Sequence, residues 1–114
     1  MKTDRTSGLA GPSRTGEVFS ALADPNRRLM IERLAAHGPA TATELAATIG
    51  VSRQGAAKHL AGLAEAGIVA AVRQGREVRY ELLERGLEPG AEWIQAVGGQ
   101  WDERFASLKR HLDD

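Results

Sequence analysis

The stretch TATELAATIGVSRQGAAKHLAGLAEAG, residues 41–67, constrains the fold most, because it carries the start and stop signals of two short helices with almost nothing between them. Thr41 followed three positions later by Glu44 is a capping box, in which each side chain satisfies a backbone N–H that the helix leaves free. Leu45 and Ile49 supply an inward-facing pair, and Gly50 suits the left-handed conformation that ends a helix. Ser52 is then placed to cap a second helix running to residues 65–67. Two helices joined by so tight a glycine-containing turn predict a helix-turn-helix unit.

The flanking segments complete that unit. Residues 1–15 mix Thr, Ser, Gly, Pro and charge without apolar periodicity, which predicts a flexible tail ahead of one domain over 16–114. Its Lys2, Arg5 and Arg14 have two readings, a brush against a phosphate backbone or a plain disordered end. From Glu17, Val18, Ala21 and Leu22 fall at helical spacing; after a break, Asp24 caps and Pro25 opens a second helix that Gly38 closes. That helix is expected to bury Met30, Ile31 and Leu34 and to leave Arg27, Arg28, Glu32 and Arg33 mostly toward solvent. His37 near its end fits the favourable pole of the helix dipole.

Beyond Gly67 the period changes. IVAAV at 68–72 and EVRYEL at 77–82 read as strands, with Val78, Tyr80 and Leu82 alternating against Glu77, Arg79 and Glu81, and RQGR at 73–76 as the turn. A hairpin directly after a helix-turn-helix is a wing. Residues 87–112 form a last helical segment in which Trp93, Val97, Trp101, Phe105, Leu108 and Leu112 recur at helical spacing, with Gly98 and Gly99 marking a place for a kink or break. The expected fold class is mainly α with a small β-hairpin, a winged helix-turn-helix with a long C-terminal dimerisation helix.

The composition removes several alternatives. A chain of 114 residues with 42% apolar content supports one core. It has neither a membrane-length apolar run nor a segment resembling a signal peptide, so a cytoplasmic location is expected. With no cysteine, disulfides, thiolate nucleophiles and thiolate metal sites are excluded. Net charge is zero but uneven: residues 51–80 hold five basic groups against two acidic ones, and residues 87–114 hold three against six. Local phosphate recognition on a neutral body has this pattern, and so does ordinary solvated surface charge.

In the helix that starts at Ser52, Ala56, Leu60 and Leu63 share the side that must be buried. Gln54, Ala57, Lys58 and Ala61 collect opposite, Arg53 and His59 lie on the borders, and Gly55 and Gly62 occupy one flank where another backbone or a groove wall has room to approach. Reading a major groove requires long donors near the helix N-terminus with small residues beside them. Arg53 and Gln54 meet the first condition and Ala57 and Ala61 the second, while Lys58 is placed to reach a phosphate. The competing reading is a solvated face on a surface helix. Arg73 and Arg76 favour the first, since they flank Gly75 at a hairpin tip where no core packing explains them and a minor groove or phosphates would be in reach.

The ordered series LADPNRRLMIERL, TATELAATIGVSRQGAAKHLAGLAEAGIV and GREVRYEL resembles the ArsR/SmtB family of winged-helix bacterial transcriptional repressors, over roughly residues 17–112. The resemblance implies a homodimer that binds double-stranded operator DNA with the Ser52 helix in the major groove and the wing beside it. Thr41, Ser52, Arg53, Gln54, Ala57, Lys58 and His59 are implied as DNA-facing, and Arg73, Arg76 and Arg79 as wing contacts. The first and last helices are implied to build the dimer contact, through Val18, Leu22, Trp93, Val97, Trp101, Phe105 and Leu108.

The departures from the family are specific. Where many relatives bind metal through cysteines, this chain has ELAATIG, with Ala46 and Ala47. Where others use histidine and carboxylates on the last helix, only Asp102, His111, Asp113 and Asp114 are available, and Arg104 stands where that pattern asks for histidine. No metal or cofactor is therefore expected, and the chain looks most similar to the metal-independent branch often encoded beside SRPBCC-fold proteins. A small-molecule effector is left unspecified.

His59 has a second reading, a border histidine satisfied by a neighbouring carbonyl. Trp93, Trp101 and Phe105 fit packing better than an effector pocket, and a stripe of that length calls for a partner helix from a second copy. No phosphate-binding loop, nucleophile motif or acid–base carboxylate pair supports an enzyme. The rival function is a winged-helix protein-interaction module that never meets DNA, favoured by the neutral total charge and the acidic C-terminal segment.

Overall fold

The computed structural model describes residues 14–113. The chain folds as α1 (residues 14–22), α2 (Pro25–His37), β1 (Ala40–Thr41), α3 (Ala42–Ile49), α4 (Arg53–Glu65), β2 (Val69–Gln74), β3 (Glu77–Leu82) and α5 (Glu88–Asp113). Helix α1 starts inside the segment expected to be a tail, and its tertiary contacts explain why. The Thr15 hydroxyl donates to the Pro89 carbonyl at 3.5 Å, and the Arg14 guanidinium lies over Gly67 in space that a side chain there would fill. Lys2 and Arg5 lie outside the described residues.

The local signals act where the spacing puts them. The Asp24 side chain accepts from the N–H of Asn26 and Arg27, and Pro25 occupies the first turn of α2. The Thr41 and Glu44 capping box is complete in both directions. Gly50, at φ 87°, ends α3 in the left-handed region, and its N–H and that of Val51 both reach the Ala46 carbonyl. That conformation disfavours any residue with a Cβ, and it allows Ser52 to begin the next cap within two residues.

The core is built from one face of each helix. Val18 and Ala21 of α1, Met30, Ile31 and Leu34 of α2, Leu45 and Ala46 of α3, and Ala56, Leu60 and Leu63 of α4 are buried together with Ile68 and Val69. Leu22, Ile49, Tyr80 and Leu82 pack against them from the edge. Arg28 and Glu32 of α2 are exposed, whereas Arg27 and Arg33 are half-buried. The Arg33 Nη1 donates to the Gly38 carbonyl at 3.3 Å, satisfying backbone at the end of its own helix.

The hairpin is flanked by a third strand. The sheet order is β1-β3-β2, all antiparallel, with Ala40 opposite Tyr80 and Thr41 opposite Arg79. In the wing, Val69 faces Leu82 and Gln74 faces Glu77, which leaves Gly75 and Arg76 as a two-residue turn. Gly75 has φ 63° and Arg76 does not have positive φ, the sign pattern of a type II′ hairpin turn.

Helix α5 runs unbroken through Gly98 and Gly99 for 26 residues, which at 1.5 Å per residue is about 39 Å. The helix is therefore not broken at this place. Each glycine costs about 1 kcal/mol against alanine, and the flanking turns of good helix formers carry the backbone across. Among the described residues its beginning is the anchored part: Trp93 meets Phe19 of α1 edge-on at 5.5 Å. Beyond that α5 stands clear of the core, and the molecule extends 66 × 42 × 20 Å.

Candidate nucleic-acid interface

The Ser52 hydroxyl accepts the N–H of Gly55 at 2.9 Å, so α4 begins at Arg53 and presents its first-turn side chains outward. Arg53, Gln54, Ala57, Lys58 and Ala61 are exposed on the side opposite the buried Ala56, Leu60 and Leu63. Between this face, the start of α3 and the wing lies an open concavity of about 1080 Å³. Thr41, Ser52, Arg53, Gln54, Ala57 and Arg76 line it together. Residues 35 positions apart in the chain thus share one surface.

Other expected residues lie elsewhere. Lys58 is on the outer face of α4 and Arg73 on β2, both exposed and both outside the lining of the concavity. His59 turns toward α2, half-buried, with Nδ1 accepting from Arg27 Nε at 3.4 Å. Its Nδ1 partner is thus the Arg27 side chain rather than the expected carbonyl. Arg79 reaches Glu44 at 3.4 Å and Glu77 at 3.1 Å, so two carboxylates offset its charge and it is not a free wing contact. Among the described residues Arg53, Lys58, Arg73 and Arg76 have no carboxylate within 4 Å, and their charge is available to an external anion.

The flank glycines serve the fold. A Cβ on Gly55 would meet the Ser52 hydroxyl at 3.1 Å, and one on Gly62 would meet the Arg27 guanidinium at 2.5 Å, so the space beside Gly62 is taken by Arg27.

Two carboxylates are tuned by these arrangements. The Thr41 backbone N–H holds the Glu44 carboxyl below its ordinary range; desolvation opposes this, and the charges of Arg79 and Arg33 add to it. For Asp24, desolvation pushes upward but is outweighed by the N–H groups of Asn26 and Arg27 and the charges of His59 and Arg27, leaving it lowered. Glu44 also lines the concavity. The capping-box spacing identified it as a helix cap, and no local signal connected it to Arg79 across 35 residues.

The expected dimer residues divide. Val18 is fully buried within its own chain, so it belongs to the intrachain core and is unavailable to a partner; helix α1 packs over the body and uses that side for it. Leu22 is half-buried against the same core. On α5, Trp93, Trp101, Phe105 and Leu108 are 52–62% exposed, and Val97 is half-buried. Among the described residues no helix is long and apolar enough to cross a membrane.

Comparison with known proteins agrees with this geometry. The helix-turn-helix domain family matches residues 22–72, from the end of α1 into the wing. The HTH-type transcriptional regulator CmtR of Mycobacterium tuberculosis is 40% identical over 87 residues, covering 75% of this chain and 72% of that protein. The chain spans little more than half (56%) of the probable mercury resistance operon repressor of Streptomyces lividans, with 35% identity over 71 residues. Among solved structures, an ArsR-like transcriptional regulator from Rhodococcus sp. RHA1 superposes with a TM-score of 0.73 at 37% identity, covering 86% of this chain and 92% of that one. A homodimeric winged helix-turn-helix DNA-binding domain from Mycobacterium bovis gives 0.63 at 27% identity, with 88% and 87% covered. With a recognition helix, a wing and relatives of this similarity over most of their lengths, the chain belongs to the ArsR family of helix-turn-helix transcriptional regulators.

Proposed function

We propose that the chain is a homodimeric transcriptional repressor, acting in the bacterial cytoplasm on an operator with inverted symmetry, and independent of metal. The observation that carries this reading is the shared surface of α4 and the wing: unpaired Arg53 and Gln54 stand beside the short Ala57, with Arg76 across the same concavity. Arginine addresses guanine and glutamine addresses adenine through paired hydrogen bonds in the major groove, and a slim helix face lets them reach the base edges. Arg76 and Arg73 meet the backbone or minor groove beside that contact, and Lys58 a phosphate.

Dimerisation is supported by the stripe of Trp93, Trp101, Phe105 and Leu108 along α5, an apolar face left exposed among the described residues. The Mycobacterium bovis relative is homodimeric. A two-fold axis through that contact relates the two α4 helices, so half-sites recur about one helical turn apart, roughly 34 Å or a multiple of it. Metal independence is supported by the missing thiols.

The test is selection of bound duplexes from a randomised pool, followed by titration of the strongest in a gel shift. The account expects an inverted repeat bound by two protomers. Selection of sites without inverted symmetry contradicts the dimeric reading. Failure to bind any duplex in dilute salt makes the winged helix a protein-interaction module.

A further inference from the structure

Helix α4 is attached to the body through Ala56, Leu60 and Leu63, all fully buried. Apolar burial is non-directional, and the glycines and alanines of α4 form shallow ridges, so this contact specifies rotation about the helix axis only weakly. One polar side chain supplies the missing direction. Arg27, in the first turn of α2, donates from Nε to His59 Nδ1 at 3.4 Å. Its guanidinium also lies across Gly62, three positions further along α4, where a Cβ would come within 2.5 Å of Nη2 and 2.7 Å of Cζ. His59 and Gly62 share one flank of the helix, so a single arginine spans nearly a turn of it.

The base of this clamp is fixed as well. Asp24 caps α2 by accepting from Asn26 N–H at 2.7 Å and Arg27 N–H at 3.3 Å, and its second oxygen lies 4.0 Å from His59 Nδ1. Of the two contacts to His59, the Arg27 N–H···N bond is the shorter. In that bond Nδ1 is the acceptor and the Arg27 Nε–H the donor.

Arg27 is absent from the lining of the α4–wing concavity. It lines a separate cleft of about 220 Å³, where Glu17 and Glu65 flank it and disfavour a phosphate. Its influence on DNA therefore runs through α4.

We infer that Arg27, through His59 and Gly62, is a positioning residue for DNA recognition, setting the rotation of α4 at which Arg53 and Gln54 meet base edges. The inference rests on the proposed function above. A roll of about 10° moves a side-chain tip about 6 Å from the helix axis by about 1 Å. The N–H···O distance window is only about 0.5 Å wide, so such a roll breaks a paired contact to a base while phosphate contacts readjust.

The experiment compares wild type, Arg27→Ala, Gly62→Ala, the double variant, His59→Ala and His59→Asn. Each is titrated below its melting temperature against the duplex selected by the wild type and a scrambled duplex of equal length. Arg27→Ala, Gly62→Ala and His59→Ala are expected to lower the selected-to-scrambled affinity ratio about tenfold, with scrambled binding and salt slope unchanged. The double variant is expected to match the singles, and His59→Asn to retain the ratio because its Oδ1 accepts from Arg27 in place of Nδ1. An unchanged ratio in folded Arg27→Ala overturns the inference, and so does an equal loss on both duplexes, which would make Arg27 a phosphate contact. If the wild type selects no duplex, the proposed function fails and this inference with it.

Discussion

Replacing Trp101 by Ser removes the centre of the α5 stripe without touching the core, since Trp101 is 52% exposed in the single chain. An aromatic side chain presents about 150–250 Å². Covering half of that at roughly 25 cal/mol per Å² contributes about 2–3 kcal/mol per copy, or about 4–6 kcal/mol per symmetric dimer. Ordering at the interface offsets part of this, so the dimer dissociation constant should rise at least about a hundredfold. Sedimentation equilibrium at micromolar concentration reads the change directly. The wild type is expected at twice 12.2 kDa and the variant near 12.2 kDa, with circular dichroism showing the helices retained. A wild type that sediments as a monomer, or a variant that dimerises equally well, refutes the assignment of α5.

Three further outcomes follow from single side chains. Lys58→Ala should weaken binding to all duplexes alike and lower the salt slope by about one, whereas Arg53→Ala should cost about 1–3 kcal/mol on the selected site and relax discrimination at one base position; salt titrations on selected and random DNA separate them. Gly86→Ala should destabilise the fold by about 1–3 kcal/mol in thermal or urea unfolding, because its Cβ would lie 2.7 Å from the Ile68 Cα and 2.9 Å from two backbone oxygens. Glu44 and Asp24 titrate below their ordinary range in the folded chain, so their contribution is complete above the unfolded values near 4 and is lost as pH falls through the lowered folded values. Glu44→Gln should therefore be less stable than wild type at neutral pH, with the gap closing as pH falls below the unfolded value and through the lowered folded one; a gap constant with pH would show that Glu44 gains nothing from its charge.

Much of the fold was legible because its determinants are local. Asp24, the Thr41–Glu44 pair, Ser52 and Gly50 each act on backbone within four residues, and the period change after Gly67 marks the wing. Features set by distant neighbours were not legible. Strand β1 has two residues, too few to show alternation, and exists because β3 lies beside it. His59 sits on a helix border, and its destination depends on Arg27, 32 positions away. Arg79 resembled a free wing cation until Glu44 and Glu77 were brought to it. Val18 shared the apolar spacing of an interface residue, and only the packing of α1 and α5 over it shows that its own chain covers it. In the site, the α4 face was readable from helical spacing, while its joining with Arg76 in one concavity required the register of the hairpin.

The most direct measurement is dimethyl sulfate protection of the selected duplex, because the reagent modifies guanine N7 in the major groove and adenine N3 in the minor groove. The account predicts two patches of N7 protection about 10 base pairs apart, or a multiple of that, with Arg53→Ala losing one guanine from each patch. Bound DNA whose guanine N7 atoms stay fully reactive, or an unchanged protection pattern in Arg53→Ala, would contradict the placement of α4 in the major groove.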